Sequence, residues 1–255
     1  MSKQYWVKIE AGIAEVVIES PPVNALDSRG WRALSQEIDR LNADPSVRVL
    51  VIRAEGRGFC AGVDIKELQA HPERIVEVNA GNYETFRALH RGLKPAIAAV
   101  HGYILGGGIG ICGSVDIIIA SPDATFGVPE VDRGALGAGA HLQRLFPVQK
   151  VRQMYFTGEA IDAAEAYRLG AIEKIVPRED LRATALELAA KIAAKSSTII
   201  QLAKEALNGV EEDLERHYRW EQGFTAQAYL TAESQEARDA FVEKRDASFK
   251  PANKQ

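Results

Sequence analysis

The chain has 255 residues, enough for one large core or for one core with a small appendage. With 46% hydrophobic and 26% charged residues it has ordinary globular composition, and a formal net charge of −4 argues against nucleic acid or an anionic membrane as the main partner. Two cysteines, Cys60 and Cys112, make neither a disulfide framework nor a metal cluster.

The opening MSKQYWVKIEAG lacks the basic-then-apolar order of a signal peptide, and no apolar run approaches about 18 residues, so a cytoplasmic setting is expected. Tyr5–Glu10 and Glu15–Glu19 alternate around Ala11-Gly12 and read as a hairpin. Ser28 is placed to cap a helix that carries Trp31, Leu34, Ile38 and Leu41 at helical spacing. Val47–Arg53 is β-rich and leads into a Gly-rich loop, Ala54–Gly62, after which Asp64–Gln69 starts a short helix. Glu73–Leu93 has helical composition interrupted by Gly81; Ala96–Val100 and Val115–Ala120 read as buried strands. Strands alternating with helices imply an α/β fold with crossover connections. From Leu136 the chain is mostly helical, with a capped helix over Ile161–Gly170 and a short strand over Ile172–Val176. Past Lys195 come the helical stretches Ser196–Asn208, Val210–Thr231 and Ser234–Ser248 and no further strand, so residues 1–195 read as the core and residues 196–255 as a helical region. The last residues, PANKQ, are expected to fray.

Two glycine-rich strand exits carry the chemistry. Between Pro95 and Gly113 a buried strand runs into Gly106, Gly107 and Gly108 and then a short helix, so unpaired backbone N–H groups face any anion that approaches. Gly58–Asp64 repeats that logic and exposes the N–H of Val63. Two such loops aimed at one oxygen form an oxyanion hole, where losing one donor costs about 3 kcal/mol of transition-state stabilisation; two unrelated tight turns are the alternative. Gly108–Gly113 also satisfies GxGxxG, but the helix has under two turns before the next strand, which argues against the dinucleotide reading. Glu130, after an apolar strand and Pro129, is either an acid–base group with raised pKa or an ion-paired surface glutamate. Asp132 and Arg133 can pair with each other, and His141 is either a pocket residue or a structural one. No HExxH, GxSxG or Cys/His nucleophile pattern is present.

Taken together, PPVNALD, RAEGRGFCAGVDIKEL, PAIAAVHGYILGGGIG, SVDIIIASPDATFGVPE, the Thr157–Gly170 run and FVEKRDASF resemble the crotonase (enoyl-CoA hydratase/isomerase) superfamily over nearly the whole chain. The resemblance implies a ββα spiral core and a C-terminal helical region that builds trimers or hexamers. It implies an acyl-CoA thioester as substrate, with coenzyme A carried by that substrate and no cofactor or metal of the enzyme's own. Matching motifs put the oxyanion donors on Val63 and Gly107 and the CoA path along Ala25, Ala61, Asp64, Ile65 and Lys66. Hydratases of the family use two glutamates on one water; the second matches Glu130, whereas the first falls on Gly110, which implies weak hydration and room for a larger acyl group. GGGIG, PEVDRGALGAGAHLQRL and WEQGFT further resemble the actinobacterial steroid-degradation branch, which implies hydrolytic ring opening of a bicyclic keto-acyl-CoA. Glu130 is then the proton carrier, with Asp132 or His141 as a partner. Enoyl-CoA hydration or isomerisation is the rival activity, and an inactive CoA-binding scaffold the rival of another class.

Overall fold

The structure, a computed structural model, describes residues 4–249. In chain order the elements are β1 (Tyr5–Glu10), β2 (Ile13–Ile18), β3 (Ala25–Leu26), α1 (Ser28–Ala43), β4 (Val49–Ala54), β5 (Gly62–Val63), α2 (Ile65–Ala70), α3 (Ile75–His90), β6 (Ala96–Val100), β7 (Tyr103–Leu105) and α4 (Gly107–Cys112). There follow β8 (Ile117–Ala120), β9 (Thr125–Gly127), α5 (Gly139–Leu145), α6 (Val148–Thr157), β10 (Ile161–Asp162), α7 (Ala163–Arg168), β11 (Lys174–Ile175) and α8 (Arg178–Ala193). The chain closes with α9 (Ser197–Val210), α10 (Leu214–Ala228) and α11 (Ala232–Glu243).

The main sheet has the order β1-β2-β4-β6-β8-β11, with β1 antiparallel to β2 and the strands beyond parallel. Its inner strands β2, β4, β6 and β8 are apolar almost throughout because both faces are covered. Val16, Ile18, Leu50, Ile52, Ala98 and Val100 face the large core under α1 and α3. Their neighbours Val49, Val51, Ile97, Ala99 and Ile119 face α8 through Leu181, Ala185 and Ala189. That period of two is the strand signature. Two smaller ladders, β10-β9-β7 and β3-β5, form where the sheet's strands end, and they carry the two glycine turns.

Several local expectations change. The α1 cap is Asp27, whose Oδ1 accepts from Gly30 N at 2.7 Å, so Ser28 is the first helical residue. Gly81 does not break α3; a Cβ there would lie 2.9 Å from Trp31 Cβ, so the glycine lets α1 and α3 approach. The strand expected over Val115–Ala120 begins at Ile117, since Val115 N still donates to Ile111 O in the turn that leaves α4. Ile161–Asp162 pairs with β9 before α7 begins, and the strand expected over Ile172–Val176 is the pair Lys174–Ile175. The PANKQ stretch lies outside the described residues.

The last helices fold back over the chain's own core: α10 packs on α3 and α5, and α11 on α2 and the 3-10 turn Pro129–Arg133. Lys204 of α9 fixes the first of them, its ammonium donating to Leu89 O, Lys94 O and Asp116 Oδ2 at 2.8 to 3.0 Å.

Candidate active site

A cavity of about 740 Å³ opens between the two glycine turns and the returning helices. One wall is built by the short ladders. Ala25 and Gly62 are register partners in β3-β5, and Asp64 N donates to Leu26 O at 3.0 Å. Because successive N–H groups of a strand alternate, the N–H of Val63 points away from β3. Gly107 opens α4, and Gly110 N is the donor that returns to Gly106 O at 3.0 Å, so the first-turn N–H of Gly107 has no acceptor within the helix. The turns touch: a Cβ on Gly62 would lie 3.0 Å from Gly107 N. Val63 and Gly107 both line the cavity.

Packing requires these glycines. Gly106 has φ +50°, and a Cβ on it would overlap Glu130 Oε1. A Cβ on Gly107 would stand 2.5 Å from Trp31 Cζ2. Nothing larger fits without moving the acid or the indole.

Glu130 sits on the 3-10 turn Pro129–Arg133 and lines the cavity against Gly106. Its Oε2 is shut from solvent and finds no hydrogen-bond partner. Burial pushes its carboxyl up to about 8, with Glu221 adding and Arg133 opposing. A 3-10 helix has three residues per turn, so Arg133 eclipses Glu130 and enters the same cavity, whereas Asp132 does not. Asp132 is exposed and faces Gly158, and it makes no ion pair with Arg133. His141 is fully buried behind Phe86 and Tyr218, with ring centroids 4.7 and 4.6 Å away, and burial brings it down to about 3. It stays neutral outside the cavity lining. Neither expected partner of Glu130 therefore reaches it.

The residues expected along the CoA path, Ala25, Ala61, Asp64, Ile65 and Lys66, all line the cavity, with Lys66 exposed. Asp64 is also the N-cap of α2 and accepts from Lys66 N and Glu67 N, so its carboxylate is committed to the helix. The space expected beside Gly110 is filled: a Cβ there would overlap the Phe86 ring, which also packs edge-on to Trp31 at 5.8 Å.

Sequence reading missed the far wall. Asn82 and Phe86 of α3, Tyr218, Gln222 and Tyr229 of α10 with its end, Phe241 of α11, and Arg133 all line the cavity. No local pattern announces them, since they arrive through helices folding back. Glu221 was missed as well. Its carboxylate accepts from Gly139 N at 2.7 Å, Ala140 N at 2.9 Å and the Tyr155 hydroxyl at 2.9 Å, and Tyr155 accepts from Gly137 N. That network holds the segment against which Glu130 rests; a Cβ on Gly137 would lie 3.7 Å from Glu130 Cγ. Burial raises the carboxyl of Glu221 despite those three donors. Among the described residues no cluster of three or more His, Cys, Asp or Glu side chains could hold a metal ion, and no helix is long and apolar enough to cross a membrane.

Two relatives carry the name (7aS)-7a-methyl-1,5-dioxo-2,3,5,6,7,7a-hexahydro-1H-indene-carboxyl-CoA hydrolase. That of Rhodococcus jostii is 47% identical over 235 residues, 91% of each chain. That of Mycobacterium tuberculosis is 45% identical over 238 residues, 92% of this chain and 96% of its own. Among solved structures, an enoyl-CoA hydratase from Mycobacterium avium subsp. paratuberculosis superposes with a TM-score of 0.86 over 97% of this chain and 99% of its own; at 22% identity it attests the fold. Residues 8–252 match the enoyl-CoA hydratase/isomerase family, and the chain belongs to that family, as an acyl-CoA enzyme of the crotonase fold.

Proposed function

We propose that this enzyme uses water to break a ring C–C bond in a bicyclic keto-acyl-CoA of steroid catabolism; its two relatives are named as hydrolases of a bicyclic dioxo-indene-carboxyl-CoA. The observation that carries the reading is a single buried carboxyl, Glu130, beside the Gly106–Gly107 turn, with Phe86 occupying the place beside Gly110. The N–H groups of Val63 and Gly107 hold the thioester oxygen. Glu130 takes a proton from water, whose oxygen bonds to a ring ketone carbon. The C–C bond from that carbon toward the thioester then breaks. Its electron pair passes into the thioester enolate, stabilised by the two N–H groups, and the proton returns to carbon. The ketone carbon leaves as a carboxyl group, so one water is consumed and no cofactor enters.

The CoA portion runs along Ala25, Ala61 and Ile65 to Lys66 at the mouth. Trimers or hexamers form through the helical surface that leaves Ile199, Leu202, Leu207 and Trp220 exposed on this chain. The cytoplasm, where acyl-CoA pools reside, is the setting.

Incubation with the bicyclic dioxo-indene-carboxyl-CoA ester tests the reading: the product gains the mass of one water and a carboxylate. An unchanged ester, together with crotonyl-CoA turnover matching that of a two-glutamate hydratase, overturns it in favour of enoyl-CoA hydration.

A further inference from the structure

Arg133 lines the acyl cavity and makes no ion pair among the described residues. Its guanidinium donates through Nη1 to Pro129 O at 2.8 Å, and the Phe241 ring lies 4.4 Å from its Cζ. No carboxylate comes within 4.0 Å of it among the described residues, and burial brings it below the ordinary arginine range. Glu130 and Asp132 attract it through space without pairing with it. A guanidinium withdrawn from water with one donor used and one face stacked is costly unless its remaining N–H edge meets an acceptor. Arg133 lines the cavity, where a bound acyl group can supply one.

The position says which acceptor. Glu130 and Arg133 are eclipsed on one 3-10 turn, about 6 Å apart along its axis. Glu130 adjoins Gly106, and Arg133 lines the same cavity one turn along, beside Phe241. We infer that Arg133 is a specificity-determining residue that binds a second oxygen of the acyl group, beyond the thioester. That oxygen is a ring ketone on the substrate side and the carboxylate formed from it on the product side. The planar fork suits both and prefers the second. This inference rests on the acyl-CoA reading of the cavity, and its test does not require the ring-opening reaction.

Glutaryl-CoA and pentanoyl-CoA differ by a terminal carboxylate and share everything else. Calorimetric titration of the wild-type enzyme is expected to favour glutaryl-CoA by roughly 10- to 100-fold, the range for a hydrogen bond to a charged group. R133M, which keeps an unbranched side chain of similar length without the charge, abolishes that ratio by weakening glutaryl-CoA alone. R133K, which keeps the charge without the fork, lowers it and serves alone should R133M not fold. A wild-type ratio near one, or a ratio that both variants retain, overturns the inference. Loss of ring opening in the wild-type enzyme with the ratio intact overturns the proposed reaction and leaves Arg133 its role.

Discussion

Replacing Glu130 by glutamine separates stability from catalysis. The carboxyl rises from 4.5 to about 8 because burial strips it of water. At about 1.4 kcal/mol per pH unit, such a rise bounds the cost of carrying this residue ionised at about 5 kcal/mol. Part of the side chain still borders the open cavity, so solvent screening reduces the figure to about 2–3 kcal/mol. The sign follows from which state ionises first. Below the ordinary carboxyl range folded and unfolded chains both hold the proton, and stability is fully present. As pH climbs, the unfolded chain releases its proton while the folded one keeps it, so stability falls until about pH 8 and then levels. Glutamine has no proton to lose. Urea denaturation from about pH 5 to pH 9 is therefore expected to find E130Q and the wild type close together in acid, with E130Q more stable by about 2–3 kcal/mol in base. Turnover of the bicyclic ester by E130Q should drop roughly 10²- to 10⁴-fold. Stability curves that stay parallel across that range, or a variant that is both less stable and fully active, would refute the reasoning.

As a base Glu130 must be ionised, so wild-type kcat/KM should rise along a limb near pH 8; a rate that falls there would make it an acid instead. E221Q removes a carboxylate whose charge helps to raise Glu130, together with one acceptor of the Gly139–Ala140 cap, and it should move that limb to lower pH while raising KM. G110E forces a side chain into the Phe86 ring and should cost at least about 1–3 kcal/mol by thermal denaturation, the price of overpacking. Trimming the ring in F86A/G110E should restore stability relative to G110E and raise crotonyl-CoA hydration, read at the absorbance of the enoyl thioester; no gain in hydration would mean that the second carboxylate needs more than space.

What the sequence made legible depended on locality. Ala96–Val100 and the glycines after it are contiguous, and the strand, the sharp turn and the helix start all follow from neighbours in the chain. The pairing of Ala25 with Gly62, which turns the N–H of Val63 outward, is a two-residue ladder too short to leave a periodic signal. Asp132 and His141 looked eligible because they are polar and near Glu130 in sequence. Placement was decided instead by the 3-10 turn, which sends Glu130 and Arg133 to one side, and by the aromatic stack that closes over His141. Gly110 suggested a void because the chain alone cannot say what arrives from α3. Phe86 arrives there because Gly81 lets α3 lie close against α1. Tyr229 and Phe241 reach the cavity only because α10 and α11 return, an outcome set by surfaces far apart in sequence.

The two features that define the site share one support. Trp31 sits against Gly107, and its indole is edge-on to Phe86, which in turn packs on His141 and Tyr218. The stack therefore bears on the glycine hole and on the position beside Gly110 at once. Restoring a second acid at Gly110 displaces Phe86, and displacing Phe86 removes the support that keeps Trp31 under Gly107. Interiors at crystalline density pass such shifts on rather than absorbing them. A hydratase pair and the present aromatic wall are consequently alternative solutions of one packing problem. Conversion between them requires compensation across α1, α3 and α10, so F86A/G110E should gain hydration only in part, with Trp31 the next residue whose replacement changes the outcome.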